Sequence, residues 1–294
     1  MIAIPSIVAA AKLAKRHIYF VVHTDRPSDF GNCFGGFPCE LRAAPSGANM
    51  EHLGALHQDV LRSARPGDYF SPFNADHVLS CEVFAAAEKH LDAGKRLVMY
   101  AAPRTVGTPP EAGSDAAAVI DFFLANPHPE VVRATWTSPG TFHPSVIYQR
   151  NGDNVCANGF HLHPVAVAIT DKPIEFCSTV DNDMVGAFLP DECHVITDST
   201  EMAMVEMSPP EKRLSGTHDD GGPPGALVLR SPNWVADWGL TLLPIHRWFF
   251  KHRIVYRGDP HAFPDDPVPR ILAHMDEAPN GISTNAGGRA AAGC

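Results

Sequence analysis

The chain has 294 residues, a formal net charge of −10, 45% hydrophobic residues and 19% charged ones. That apolar content, with 16 Phe, 5 Tyr and 4 Trp, excludes wholesale disorder and suffices for a sizeable core. The acidic balance and the absence of a basic stripe argue against nucleic acid as a partner, because binding to a phosphate backbone relies on clustered Lys and Arg displacing counterions.

At roughly 150 residues per domain, the length allows one large domain or two small ones. The apolar stretch Ile2–Leu13 is too short to cross a bilayer, which needs ~20 predominantly apolar residues, so no transmembrane segment is expected. The cluster Lys12, Lys15 and Arg16 follows that stretch instead of preceding it, so no secretory signal is expected either. Seven cysteines, dispersed and without a C-x-x-C pair, indicate neither a disulfide framework nor a zinc ribbon and fit a reducing, cytoplasmic setting. The 27 prolines punctuate the chain into many short elements.

His17–His23 is a β-branched and aromatic run ending at Thr24-Asp25-Arg26-Pro27, which describes a buried strand leading into a turn. Met50, Leu53, Leu56, Val60 and Leu61 follow a helical period within Ser46–Arg65, and Pro66-Gly67 stops it. Asp68–Phe73 reads as a short strand. Asn74-Ala75-Asp76 and a helix over Ser80–Ala93, closed by Gly94, come next, and Lys95–Ala101 is a further buried strand. This alternation is that of an α/β sheet. Asp115–Ala125 predicts a helix. From about Trp136 the texture shifts to strands and turns, including Gly159–Val167, Glu175–Val180 and His194–Thr197, with a short helix over Met184–Leu189. Ser208–Gly225 reads as a long Pro/Gly-rich loop, Trp234–Tyr256 as a C-terminal helix, and residues 278–294 as a flexible tail.

Acidic residues fall at strand ends: Asp25, Asp76, Asp181 with Asp183, and Asp198. In open α/β sheets the carboxyl ends of the strands converge on one crevice, so acids placed there tend to share a site. Asp181-Asn182-Asp183 is a D-x-D able to hold Mg²⁺ or Mn²⁺ and a diphosphate, although Asx residues also suit turns for local reasons. His161-Leu162-His163, read as a strand, points both imidazoles to one face, where they can serve a transition metal or simply pack. Asp198 can be catalytic or an N-cap. Glu206, between Met204 and Met207, can be a general base or an exposed acid. Arg26 and Arg104 can clamp a phosphate or make surface ion pairs. Trp234, Trp238 and Trp248 read as core rather than as sugar platforms. No P-loop, G-x-G-x-x-G, G-x-S-x-G or H-E-x-x-H motif is present, which argues against P-loop nucleotide hydrolases, dinucleotide oxidoreductases, α/β hydrolases and zincins.

The order of features resembles a GT-A-type glycosyltransferase. The resemblance is carried by Val21–Asp25, Gly67–Asp76 and Gly94–Val98, and by Gly159–Pro164, Ser178–Asp183 and Ile196–Ser199, which look like a block found in uncharacterised bacterial proteins of glycosyltransferase type. It implies a single GT-A-like, Rossmann-related mixed sheet flanked by helices over residues 1–277, with a nucleotide-binding half (1–135) and an acceptor half (136–277). It further implies sugar transfer from a nucleotide-sugar to an acceptor, assisted by Mn²⁺ or Mg²⁺. Thr24, Asp25, Arg26 and Arg104 would contact the nucleotide, and Asp76, Asp181, Asp183, His161 and His163 would supply metal ligands. Asp181, Asp183 and Asp198 would be the catalytic carboxylates. Where the family has its metal-binding D-x-D, this chain reads Asn74-Ala75-Asp76, so the first carboxylate is replaced. Two other classes fit the same residues: a metal-dependent hydrolase or oxygenase using His161, His163 and Asp181 or Asp183, and a non-catalytic binding protein with a degenerate transferase fold.

Overall fold

A computed structural model describes residues 3–45, 50–133, 146–176, 179–181, 184–211, 243–263, 266 and 268–277. The first half runs α1 (Ala3–Ala11), β1 (Phe20–Thr24), β2 (Cys39–Ala43), α2 (Met50–Ser63), β3 (Tyr69–Phe70), β4 (His77–Leu79), α3 (Val83–Asp92), β5 (Leu97–Tyr100), β6 (Arg104–Thr105), α4 (Ala116–Ala125) and α5 (Pro129–Arg133). The second half continues with β7 (Val146–Asn151), β8 (Asn154–Gly159), β9 (His163–Ala168), β10 (Cys193–Val195), β11 (Met204–Met207), α6 (Pro244–Phe250), β12 (Ile254–Arg257) and α7 (Val268–Glu277).

The architecture is mixed α/β, but the strands are distributed over four hydrogen-bonded sheets where one was expected. β1 and β2 form a parallel pair, β10-β5-β9-β3 a central sheet, β4-β11-β6 a third sheet and β12-β8-β7 a fourth. The division has a local cause. β10 is only three residues long, and beyond it the chain keeps just one hydrogen bond to β5, from the Ile196 amide to the Met99 carbonyl (2.9 Å). It then turns to β12, with the Val255 amide donating to Thr197 O (2.7 Å) and the Ser199 amide to Val255 O (3.0 Å), in a parallel bridge between Asp198 and Val255. The central and fourth sheets therefore meet edge to edge through this one bridge.

Tyrosines hold that seam. The buried Tyr256 hydroxyl donates to the Ala101 carbonyl (2.8 Å), Tyr100 and Ser199 share a hydrogen bond of 2.7 Å, and the Tyr256 ring lies 6.2 Å from Tyr148 and 5.4 Å from Phe123. Burying three phenols favours partners of this kind, since an unpaired hydroxyl in an apolar core forfeits part of what its ring contributes. Desolvation raises the ionisation of Tyr100, Tyr148 and Tyr256 well above the ordinary phenol range, so all three stay neutral.

Helices close the faces. α1 lies on β4, where the Ser6 hydroxyl accepts from the Leu79 amide (3.1 Å), and beyond its end the Lys15 and Arg16 amides donate to Glu88 of α3. α3 covers the central sheet and ends, as expected, at Gly94, whose φ of +91° suits a residue without a Cβ. α4 is N-capped by Asp115, whose carboxylate accepts from the Ala118 amide (2.8 Å). No helix among the described residues is long and apolar enough to cross a membrane.

Three expected elements change. Glu175–Val180 forms no strand over its described residues, Met184–Leu189 is a 3-10 turn (Met184–Ala187), and the C-terminal helix shrinks to α6 because β-branched Ile254 and Val255 pair with β8 as β12. The expected helix up to residue 242, Trp234, Trp238, the loop beyond residue 211 and the tail fall outside the described residues.

Tyr256→Phe removes the donor to Ala101 and is expected to lower unfolding stability by about 1–2 kcal/mol, whereas Tyr19→Phe, at an exposed hydroxyl bonded to Glu40, should leave it nearly unchanged. Urea midpoints of the two variants test this; equal midpoints would contradict the seam.

Candidate functional site

β3 and β5 each pair antiparallel with β9, so they run in the same direction and their carboxyl ends reach the same rim as the start of β9. His163, the first residue of β9, pairs with Tyr100, the last of β5, and its Nε2 is 2.6 Å from the Pro72 carbonyl just past β3. That contact needs a proton on Nε2. The His163 ring lies 4.3 Å from that of His77, edge on, and stacks at 6.2 Å on Phe73. His77 in turn takes the Asn74 amide on Nδ1 (3.1 Å). Asp76 immediately precedes the imidazole that packs on His163.

The second side of the rim comes from the turn at residues 179–181. The Asp181 carbonyl is 3.2 Å from His161 Nδ1 and 3.3 Å from His246 Nε2, and the two imidazoles pack at 4.4 Å. His161 Nε2 is buried without a hydrogen-bond partner. The two imidazoles of His161-Leu162-His163 do not share a face as expected: β8 ends at Gly159 and β9 begins at His163, so His161 sits in the connection, where strand alternation does not apply. His161 turns to Asp181 and His246, His163 to Pro72 and His77. The ligand atoms of His161, His163 and Asp181 accordingly do not all come within 4.8 Å of one another, and Asp183 lies outside the described residues.

A groove of about 460 Å³ opens at the carboxyl ends of the parallel pair β1–β2, lined by Thr24, Asp25, Pro27, Leu41 and Arg42 among others. Thr24 closes its own turn by accepting the Arg26 amide (3.0 Å); Arg26 itself is not among the lining residues. Helix α2 connects groove and rim. Its Asp59 carboxylate accepts from Arg42 (2.8 Å) and contacts His23 Nε2 (3.1 Å). Gln58 donates to the Ile174 carbonyl (2.9 Å) and accepts the Phe176 amide (3.1 Å), holding the chain that leads to Asp181. His57 faces the rim: burial pushes it down to about 4, reinforced by His163 and His23 and opposed by Asp181.

The other predicted residues have simpler placements. Arg104 stands opposite Glu206 in the β6–β11 register and pairs with it (3.0 Å), so the two sequence candidates, phosphate clamp and general base, are held to each other. Asp198 begins no helix; its carboxylate accepts the Thr200 amide and hydroxyl, both at 2.8 Å, in an exposed turn. Trp248 packs partly buried against the core, as expected.

Sequence reasoning missed one cluster. His90 of α3, His194 of β10 and Glu201 after β10 bring ligand atoms within 4.8 Å of one another, and theirs is the grouping of this kind among the described residues. The outermost two are 111 positions apart, with no motif spacing; the one available signal was a histidine, His194, inside an otherwise apolar strand. The chain matches no family model, no curated protein and no solved structure.

Burial holds His57, His77, His161 and His163 below the ordinary imidazole value of 6.5, with Asp181 partly offsetting the effect at His161 and His163. Between pH 6.5 and about 4 the unfolded chain therefore binds more protons than the folded one, so stability falls as pH falls through that window, by about 1.4 kcal/mol per pH unit for each such proton. Urea titrations from pH 7.5 to 4.5 should show this loss, with a shallower slope in His57→Gln. A slope that His57→Gln leaves unchanged would contradict the assignment.

Proposed function

We propose that the chain is a glycosyltransferase-type enzyme that binds a nucleotide-sugar in the β1–β2 groove and carries out transfer at the Asp181 rim, with Mn²⁺ or Mg²⁺ neutralising the departing diphosphate. The observation that carries this reading is the attachment of both regions to one turn of α2: Asp59 to the groove, Gln58 to the approach to Asp181, and His57, packed edge-on at 5.9 Å, to Phe70 at the end of β3. A donor with a nucleoside at one end and a reactive sugar at the other needs two differently furnished regions held at a set spacing. Thr24 and Asp25, in the open groove at the carboxyl ends of β1 and β2, offer acceptors suited to ribose hydroxyls and base N–H groups.

The GT-A-like single sheet belongs to this proposal. The edge-to-edge meeting of the central and fourth sheets at Asp198–Val255 supports it, as does the placement of the rim at the carboxyl ends of β3 and β5. An oxocarbenium-like transition state with a departing diphosphate requires positive charge at the leaving group. With Arg104 paired to Glu206 and Arg42 to Glu40 and Asp59, Asp181 together with Asp76 or Asp183 would hold a divalent cation, which would supply that positive charge when bound. Asp181 would serve as metal ligand or as the base for the acceptor hydroxyl, and the neutral imidazoles around it exclude water without adding a competing charge.

Thermal unfolding with uridine or guanosine diphosphate at millimolar concentration tests the reading. The wild type should gain several degrees in Tm with Mn²⁺ present, Asp25→Ala should lose most of that gain, and Asp181→Asn should keep nucleotide binding while cutting donor turnover at least 100-fold. No shift with any nucleoside diphosphate would reject the nucleotide site, and stabilisation without turnover in the wild type would identify a binding protein instead.

A further inference from the structure

Away from the groove and the rim, three side chains from three different elements converge on the face of the central sheet that α3 covers. His90 lies in the last turn of α3, His194 in the middle of β10, and Glu201 in the turn that follows Asp198-Ser199-Thr200. The His90 and His194 rings stack nearly parallel, 16° apart with centroids at 3.5 Å, and His90 Nε2 is 2.8 Å from Glu201 Oε1. Two imidazolium cations stacked at that separation would repel each other strongly. A neutral imidazole keeps a lone pair on one of its two ring nitrogens, which is the form a metal binds.

We propose that His90, His194 and Glu201 form a transition-metal site of the zinc class, with three protein ligands and a fourth position open to solvent. Two imidazoles and one carboxylate are a ligand set that suits Zn²⁺, and three protein ligands leave one place for water. Ligand atoms around a tetrahedral zinc stand about 3.4 Å apart at bond lengths near 2.1 Å. The present spacing, within 4.8 Å, closes to that by small rotations of two side chains on the protein surface. The site is accessible: the His90 side chain is 13% exposed and that of Glu201 23%.

Without a metal, the Glu201 carboxylate is held by Lys89, whose Nζ is 2.8 Å from the same Oε1 that contacts His90. Lys89 is 68% exposed, so its ammonium can swing into water when a dication arrives. Lys89 is therefore the competitor for the site, and its removal should strengthen metal binding. A merely structural His–Glu hydrogen bond makes the opposite prediction, that Lys89 is irrelevant to zinc. The proposal is independent of the nucleotide-sugar reading, since none of its residues belongs to the groove or the rim.

Calorimetric titration of the full chain with Zn²⁺, and with Co²⁺ as a visible probe, tests it. The wild type should bind one equivalent with a Co²⁺ spectrum of four-coordinate type; Glu201→Gln and His194→Phe should weaken binding at least tenfold, Lys89→Gln should tighten it several-fold, and His163→Gln should leave it unchanged. Glu201→Gln changes a surface turn and serves if His194→Phe fails to fold. Absence of binding at 100 µM Zn²⁺, wild-type affinity in Glu201→Gln, loss in His163→Gln, or no gain in Lys89→Gln would each overturn the site.

Discussion

One turn of α2 sets the geometry on which the functional reading rests. Successive residues of an α-helix point about 100° apart, so His57, Gln58 and Asp59 fan around the axis and reach three different places at once. Asp59 ties the helix to His23 and Arg42 beside the groove, Gln58 pins the backbone at Ile174 and Phe176, and His57 stands with His163 at the rim. The Gln58 contacts use both the amide donor and the amide oxygen, so they fix a strandless segment that the sheets leave unsupported. Asp181 hangs from that segment, and its carbonyl gathers His161 and His246.

The rim is furnished with neutral imidazoles rather than with ion pairs. His77, His163, His161 and His246 each have a backbone partner, which fixes the rotation of the ring and leaves little room for a second charged state. Desolvation is the main force on those whose ionisation is displaced, and Asp181 is the nearby charge that opposes it at His161 and His163. Such an environment binds an anion poorly by itself, which is why the transferase reading calls for a cation. The His90–His194–Glu201 cluster differs in kind, since a carboxylate oxygen touches an imidazole nitrogen directly there.

Much of the first half was legible because local signals and tertiary structure agreed. The helical period over Met50–Leu61, the capping Asp115 and the Gly94 stop all correspond to elements in place, and the runs near 20 and 97 are strands, the second fully buried as expected and the first only half-buried, because it pairs with β2 alone. Where tertiary pairing decided, the sequence was mute or misleading. Ile254-Val255-Tyr256 carries helical neighbours in sequence but is drawn to β8, and His77-Val78-Leu79 is a strand because β11 lies beside it. At the site, Thr24 does end a strand beside the groove, with Asp25 after it, but Asp181 follows no strand, so the strand-end argument that singled it out does not hold there. The partners of Arg104 and the role of α2 were invisible, because both depend on contacts between residues about a hundred positions apart.

The most direct test of the account is a crystal of the chain grown with Mn²⁺ and a nucleoside diphosphate, in which the manganese is located by its anomalous scattering. The account predicts the nucleoside against Thr24 and Asp25 and the manganese peak in contact with both the diphosphate and the Asp181 carboxylate. A nucleotide bound elsewhere, or a diphosphate-bound manganese remote from Asp181, would contradict it.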